Sequence, residues 1–253
     1  MANYVHKLLE SNNRLDGRKA ESYREPVTVE YGVSQTAEGS ALVTIGGTQV
    51  MAGIKMELGT PYSDAPDRGT LMVNVELLPL SNPAFEPGPP SIQSIELARV
   101  IDRGIRESDS VDFGKLCVEV GEKAWTIIVD ICPINDEGNL FDAGALAALA
   151  AIRDTKLPAL KDGVADYKTK TDEGLPLKKL PLSCTVLKIG SNFIIDPLTD
   201  EEKVADARLT VATIDDDKVC ALQKGGKSEL TVDEIDGMVK LAVEKTKELR
   251  KYL

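Results

Sequence analysis

The stretch Ser91-Ile-Gln-Ser-Ile-Glu-Leu-Ala-Arg-Val-Ile-Asp-Arg-Gly-Ile-Arg106 sets Ile92, Ile95, Leu97, Val100, Ile101 and Ile105 mainly at helical intervals, so it reads as an amphipathic helix starting near Ser91. What precedes it has a different period. Val27–Val33, Ala41–Ile45, Val50–Met56 and Leu71–Leu77 are β-rich runs separated by Gly- or Pro-containing turns, and their natural reading is a four-strand meander. Residues 80–90 hold four prolines and form an irregular connector into the helix.

Beyond the helix, Leu116–Val120 and Trp125–Cys132 read as a strand pair, and the alanine-rich Phe141–Ile152 as a helix whose small side chains allow close packing on a sheet. Charged and Gly/Pro-containing residues 153–180 suggest a mobile excursion. Strands are expected again at Ser183–Ile189, Asn192–Ile195, Arg208–Thr213 and Val219–Gln223, then a helix from Thr231, where Thr231-Val-Asp-Glu234 resembles a capping box. Residues 4–10 predict a short amphipathic helix ahead of all of this. Strands followed by helix, twice over, give an α+β architecture of mixed sheets packed on helices. The expected divisions are an N-terminal helix and extension (1–25), a first half (26–155), a connecting excursion (156–180) and a second half with the C-terminal helix (181–253).

With 253 residues, 42% hydrophobic and 28% charged, the chain can bury a sizeable core without disulfides or metals. Cys117, Cys132, Cys184 and Cys220 are scattered and His6 is the one histidine, which argues against a zinc site and for reduced thiols in the cytoplasm. No apolar run is long enough to span a bilayer; Leu140 to Ile152 is the most apolar. The formal net charge of −11 opposes general attraction to a polyanion, so any nucleic-acid contact has to be a local basic patch or be shared with a more basic partner. Arg99, Arg103 and Arg106 supply such a patch, within roughly 60° of one another at about 100° per residue. The same arginines are also spaced for surface pairs, Glu96–Arg99, Asp102–Arg106 and Arg103–Glu107, and spacing by itself favours that structural reading.

Six segments, taken in order, resemble the RNase PH family over nearly the whole chain: Arg14-Leu-Asp-Gly-Arg18, Gly39-Ser-Ala-Leu-Val43, Val73-Asn-Val-Glu-Leu-Leu-Pro79, Phe85-Glu-Pro-Gly-Pro-Pro90, Ile95 to Arg106, and Asp206-Ala-Arg-Leu-Thr210. Within that family the similarity is greatest to the non-catalytic ring subunit of the archaeal exosome. The resemblance implies two βα halves with ribosomal protein-like βαβ layers. It also implies a hexameric ring of three heterodimers with a catalytic RNase PH-like partner, RNA-binding cap proteins above it, and single-stranded RNA as the ligand. It places Arg99 on the RNA path, with Arg103 and Arg106 as its neighbours.

Catalytic members of the family carry Gly-Gly-Thr-Arg at the start of the helix corresponding to 141–152. Here the matching residues are Gly138-Asn-Leu-Phe141, so an aromatic ring stands in place of a phosphate-holding guanidinium, and Asp142 follows it. Asp200 and Asp206 keep the six-residue separation of the family's catalytic aspartates, but Asp196, Asp200, Glu201 and Glu202 form an acidic loop in which that spacing arises easily by chance. They are weak catalytic candidates; a solvated turn with Asp206 anchoring a strand is the stronger reading. The expected function is therefore a non-catalytic ring subunit that binds RNA and supports a partner's active site. Phosphate, and any Mg2+, would act at that partner's site, with no metal or cofactor here. The alternatives are an independent phosphorolytic 3′-to-5′ exoribonuclease and a purely structural scaffold.

Overall fold

Long runs of alternating burial build the first sheet of the computed structural model, which describes residues 2–161, 163–215 and 217–253; Met1, Asp162 and Asp216 lie outside the described residues. Its strands are β1 (Val27–Tyr31), β2 (Gly39–Ile45), β3 (Thr48–Gly59), β4 (Thr70–Val75), β5 (Cys117–Glu119) and β6 (Lys123–Asn135). Ala41, Val43 and Ile45 on β2, Val50, Ala52 and Ile54 on β3, and Ile127, Val129 and Ile131 on β6 point to one buried face, as the two-residue strand period requires.

The order β1-β2-β3-β6-β4 corrects the expected meander. β6 takes the place beside β3, pairing antiparallel from Gln49↔Asn135 to Gly59↔Ala124, and β4 lies outside it, parallel, with Leu71 opposite Ile127. The long β6 covers the whole of β3, so no free edge of β3 remains for β4 to join.

After α1 (Ala2–Glu10), the first half adds α2 (Ile92–Glu107) and α3 (Leu140–Asp154). Ser91 caps α2, its Oγ accepting from the Ser94 amide at 3.1 Å, and Leu97, Val100, Ile101 and Ile105 turn inward. α3 is buried along nearly its entire length because it packs on β2 and β3 on one side and on the second sheet on the other. Its alanines and Gly144, whose Cβ would meet Ile101 Cδ1 at 3.0 Å, permit that close approach.

Residues 153–180, expected as a mobile excursion, contain instead an antiparallel hairpin of β7 (Lys156–Lys161) and β8 (Val164–Gly174). The second sheet runs β10 (Asn192–Ile195), β9 (Leu182–Ile189), β11 (Ala207–Thr213), β12 (Val219–Gly226), followed by α5 (Val232–Arg250); the short α4 (Thr199–Glu202) links β10 to β11. Ala212 faces Gly104 of α2, whereas the adjacent Thr213 bonds Thr246 of α5 at 2.7 Å. Neighbouring strand residues point to opposite faces, so α2 and α3 lie between the sheets and α5 covers the far side of the second. The capping box of α5 is present: Thr231 Oγ1 accepts from the Glu234 amide and Glu234 Oε2 from the Thr231 amide.

Candidate functional site

Burial of Leu97, Val100, Ile101 and Ile105 leaves the opposite face of α2 to the three arginines, but the fold treats each differently. Arg106 forks onto Asp102 at 2.7 and 3.1 Å and donates to the Leu71 carbonyl on β4 at 2.8 Å, which ties it to the structure. Arg103 makes one long contact, 3.4 Å to Gln223 Oε1 on β12. Arg99 is exposed and, among the described residues, has no hydrogen bond or ion pair.

The pair Glu96–Arg99 that helical spacing allows does not form. Glu96 instead binds Arg208 of β11. The Arg208 guanidinium lies 4.0 Å from the centroid of the Phe141 ring, in cation–π contact, and directly opposite Gly225 of β12. A Cβ on Gly225 would come within 2.6 Å of Arg208 Nη2, so the missing side chain there makes room for the guanidinium.

The start of α3 is closed by the chain's own groups. Gly138 has φ +102° and lies against the Pro197 carbonyl, which a Cβ would approach to 2.3 Å, so the turn before α3 presses on the turn before α4. That approach brings Glu202 Oε1 to the Asn139 amide at 2.9 Å. Asp142, which follows Phe141, points inward, accepting from Asn139 Nδ2 at 3.1 Å and from Tyr23 Oη at 3.4 Å. Burial pushes the Asp142 carboxyl up to about 7, and burial also pushes Glu202 up to about 7 despite the Asn139 amide. Beside them a cavity of about 190 Å³ is lined by Leu140, Phe141, Glu202 and Arg208 among others. The Asn139 amide is thus already bonded to a carboxylate, and the nearby cation is shared between Glu96 and an aromatic ring.

Asp200 and Asp206 are held by separate partners. Asp200 pairs with Lys203 at 2.9 Å, and Asp206 Oδ2 accepts from the Gly190 amide at 2.7 Å, bracing the turn between β9 and β10. Among the described residues no group of three His, Cys, Asp or Glu side chains is placed to hold a metal ion.

A buried network not anticipated from the residues lies behind this site. Asp196, fully buried, accepts from Arg24 N at 2.6 Å, Nε at 3.0 Å and Nη2 at 2.8 Å, from Arg18 Nη1 at 3.0 Å and from Asn139 Nδ2 at 3.0 Å. Arg14 donates to Glu201 through Nε and Nη2, to the Ile195 carbonyl through Nη1 and to the Asp196 carbonyl through Nη2. Arg24 also donates to the Glu137 and Gly138 carbonyls at 2.8 and 3.0 Å. The N-terminal extension therefore straps the start of α3 to the β10–α4 turn. Arg14 and Arg18, both in the Arg-Leu-Asp-Gly-Arg segment, were the available signal; their partners lie too far along the chain to be read from it.

The profile of the 3′ exoribonuclease family, domain 1 (RNase PH), matches residues 24–158, which span β1 through α3, and that of domain 2 matches residues 179–245, which span β9 through most of α5. The chain belongs to the RNase PH family. Among RNase PH relatives, the exosome complex component Rrp42 of Archaeoglobus fulgidus is 47% identical over 247 residues, 98% of this chain and 93% of that protein. Its counterpart from Methanocella arvoryzae is 44% identical over 250 residues, 99% of this chain and 94% of that protein. A chain in the solved structure of the Archaeoglobus fulgidus exosome with RNA bound to the active site superposes with a TM-score of 0.92 at 46% identity, covering 99% of this chain and 96% of that one. The mixed α+β expectation and the family resemblance both hold. No helix among the described residues is long and apolar enough to cross a membrane.

Proposed function

We propose that this chain is the non-catalytic ring subunit of an exosome-type 3′-to-5′ exoribonuclease, binding single-stranded RNA beside the active site of a catalytic RNase PH-like partner. The observation that carries this reading is the start of α3, where Glu202 occupies the Asn139 amide and Phe141 stands in place of an arginine. Phosphorolysis needs an attacking phosphate held by converging donors and cations; this helix end presents an amide already taken by a carboxyl group, and a ring. In this reading three such chains alternate with three catalytic partners in a hexameric ring under RNA-binding cap proteins, in the cytoplasm, where the four free cysteines stay reduced. Relatives named as exosome components, at 41–47% identity, support the assembly.

RNA contact rests first on Arg99, the arginine of the stripe without an internal partner, then on Arg103; Arg106 is already engaged by Asp102 and Leu71. In the assembled ring, Arg99→Ala is expected to weaken single-stranded RNA binding roughly tenfold, the scale of one charge-assisted contact, and to lower the slope of log affinity against log salt by about one contact's worth. Unchanged affinity and unchanged degradation rate would remove Arg99 from the site. Phosphate-dependent degradation of labelled RNA, assayed with this chain, the partner and the mixture, tests the wider reading. The chain alone is expected to release no nucleoside diphosphate; release would make it an independent enzyme.

A further inference from the structure

We infer that Arg208 is a positioning residue: by holding Glu96, it keeps Arg99 free to take RNA. The inference rests on the reading of Arg99 as an RNA contact and adds what makes that contact possible. Glu96 and Arg99 stand at i and i+3 of α2, a spacing at which opposite charges on a helix surface find one another. Asp102 and Arg106 on the same helix do pair, at i and i+4, so the tendency is realised nearly two turns further on. Glu96 is spared from it because a stronger competitor arrives from β11, 112 residues later in the chain.

That competitor is built into place from three sides. The Phe141 ring lies 4.0 Å from its guanidinium carbon, Glu96 closes on Nη2, and Gly225, directly across the β11–β12 ladder, leaves the space the guanidinium fills. The Arg208 side chain is 19% exposed, against the open exposure of Arg99, and its Nε is buried without a hydrogen-bond partner. The aromatic ring and the gap at Gly225 hold the guanidinium against Glu96 even though its Nε gains no partner there. Phe141 therefore does more than fill the place of a cation on α3. It seats a cation delivered from β11, and that cation removes one of the two carboxylates three residues from Arg99 on its own helix, the other, Asp102, being held by Arg106.

The test is RNA affinity in the complex assembled with the catalytic partner, using a single-stranded RNA of fixed length. Arg208→Gln releases Glu96 to pair with Arg99 and is expected to weaken binding roughly 1.5- to twofold, the scale of one helical ion pair. Glu96→Gln added to Arg208→Gln should restore wild-type affinity, and Glu96→Gln alone should cause no loss. In an Arg99→Ala background Arg208→Gln should have no further effect, since its whole influence passes through Arg99. A loss that persists in the Glu96→Gln, Arg208→Gln double variant, or that adds to the Arg99→Ala loss, overturns the proposal and makes Arg208 a direct RNA contact. Arg208→Gln binding like wild type while Arg99→Ala is weak also overturns it and leaves the RNA reading standing; an undiminished Arg99→Ala ends that reading itself. If Arg208→Gln fails to assemble, Gly225→Ala displaces the guanidinium without removing its charge. The same loss and the same rescue by Glu96→Gln are expected there, and wild-type binding by Gly225→Ala with Arg208 displaced would sink the idea.

Discussion

Replacing Asp196 with alanine is expected to lower the unfolding free energy by about 3–5 kcal/mol, the range for removing one partner of a buried ion pair. The carboxylate has no exposed surface and receives bonds from two guanidinium groups, a backbone amide and the Asn139 side chain. Arg24, with its side chain 7% exposed, would be left charged, desolvated and without its main partner. Because Asn139 and Gly138 belong to the same network, the start of α3 would loosen with it. Urea denaturation followed by circular dichroism measures the loss, and Asp196→Asn, which keeps the shape and one acceptor, should fall between. A change below about 1 kcal/mol would mean that the arginines find other partners and that the strap contributes little.

The wild-type chain is also expected to lose stability as pH rises from about 5 to 8, against the usual behaviour of paired carboxylates. Asp142 and Glu202 hold their protons up to about 7 in the folded chain, from ordinary values of 3.8 and 4.5, because burial penalises the charged form. Between the ordinary and the raised values the folded state binds protons that the unfolded chain has released, so stability falls with pH in that window and levels off above the raised value. Each group contributes on the order of 1–3 kcal/mol across it. Glu234, which Lys188 and the Thr231 amide hold below its ordinary value, has its influence in the acid range instead. Asp142→Asn should flatten the profile by about half, leaving the Glu202 share. Urea midpoints that are constant from pH 5 to 8 in the wild type would refute this account.

Much of this architecture was legible because its elements carry strong local signals. The apolar period of Ile92 to Ile105, the small residues of Phe141 to Ile152 and the capping box at Thr231 each specify a helix without help from the rest of the chain. β8 was not legible: Val-Ala-Asp-Tyr-Lys-Thr-Lys-Thr-Asp-Glu-Gly buries little on either face, so it lacks the apolar alternation that marks a strand. The seat of β4 outside β6 depends on which strand claims the edge of β3, a choice made by tertiary pairing. At the site, the stripe of arginines was visible but its internal differences were not. Helical spacing pairs Glu96 with Arg99, and only the fold brings in Arg208 to break that pairing. The aromatic ring at 141 was plain in the residues, whereas the carboxyl group closing the Asn139 amide comes from Glu202, 63 residues away.

The arginine strap has a consequence for how the molecule is made. Arg14, Arg18 and Arg24 wait for Glu201 and Asp196, which follow them by 172 to 187 residues. At about 5–20 residues per second, the ribosome delivers those carboxylates on the order of 10–40 s after the arginines have emerged. Through that interval Arg14 and Arg24 lack their carboxylates and Arg18 has only Asp16, and the turn before α3 is not yet tied to the β10–α4 turn. A chain released after α3 but before residue 196 holds its first sheet through α2 and α3 without the strap, so the ion network closes only on copies that reach the second sheet.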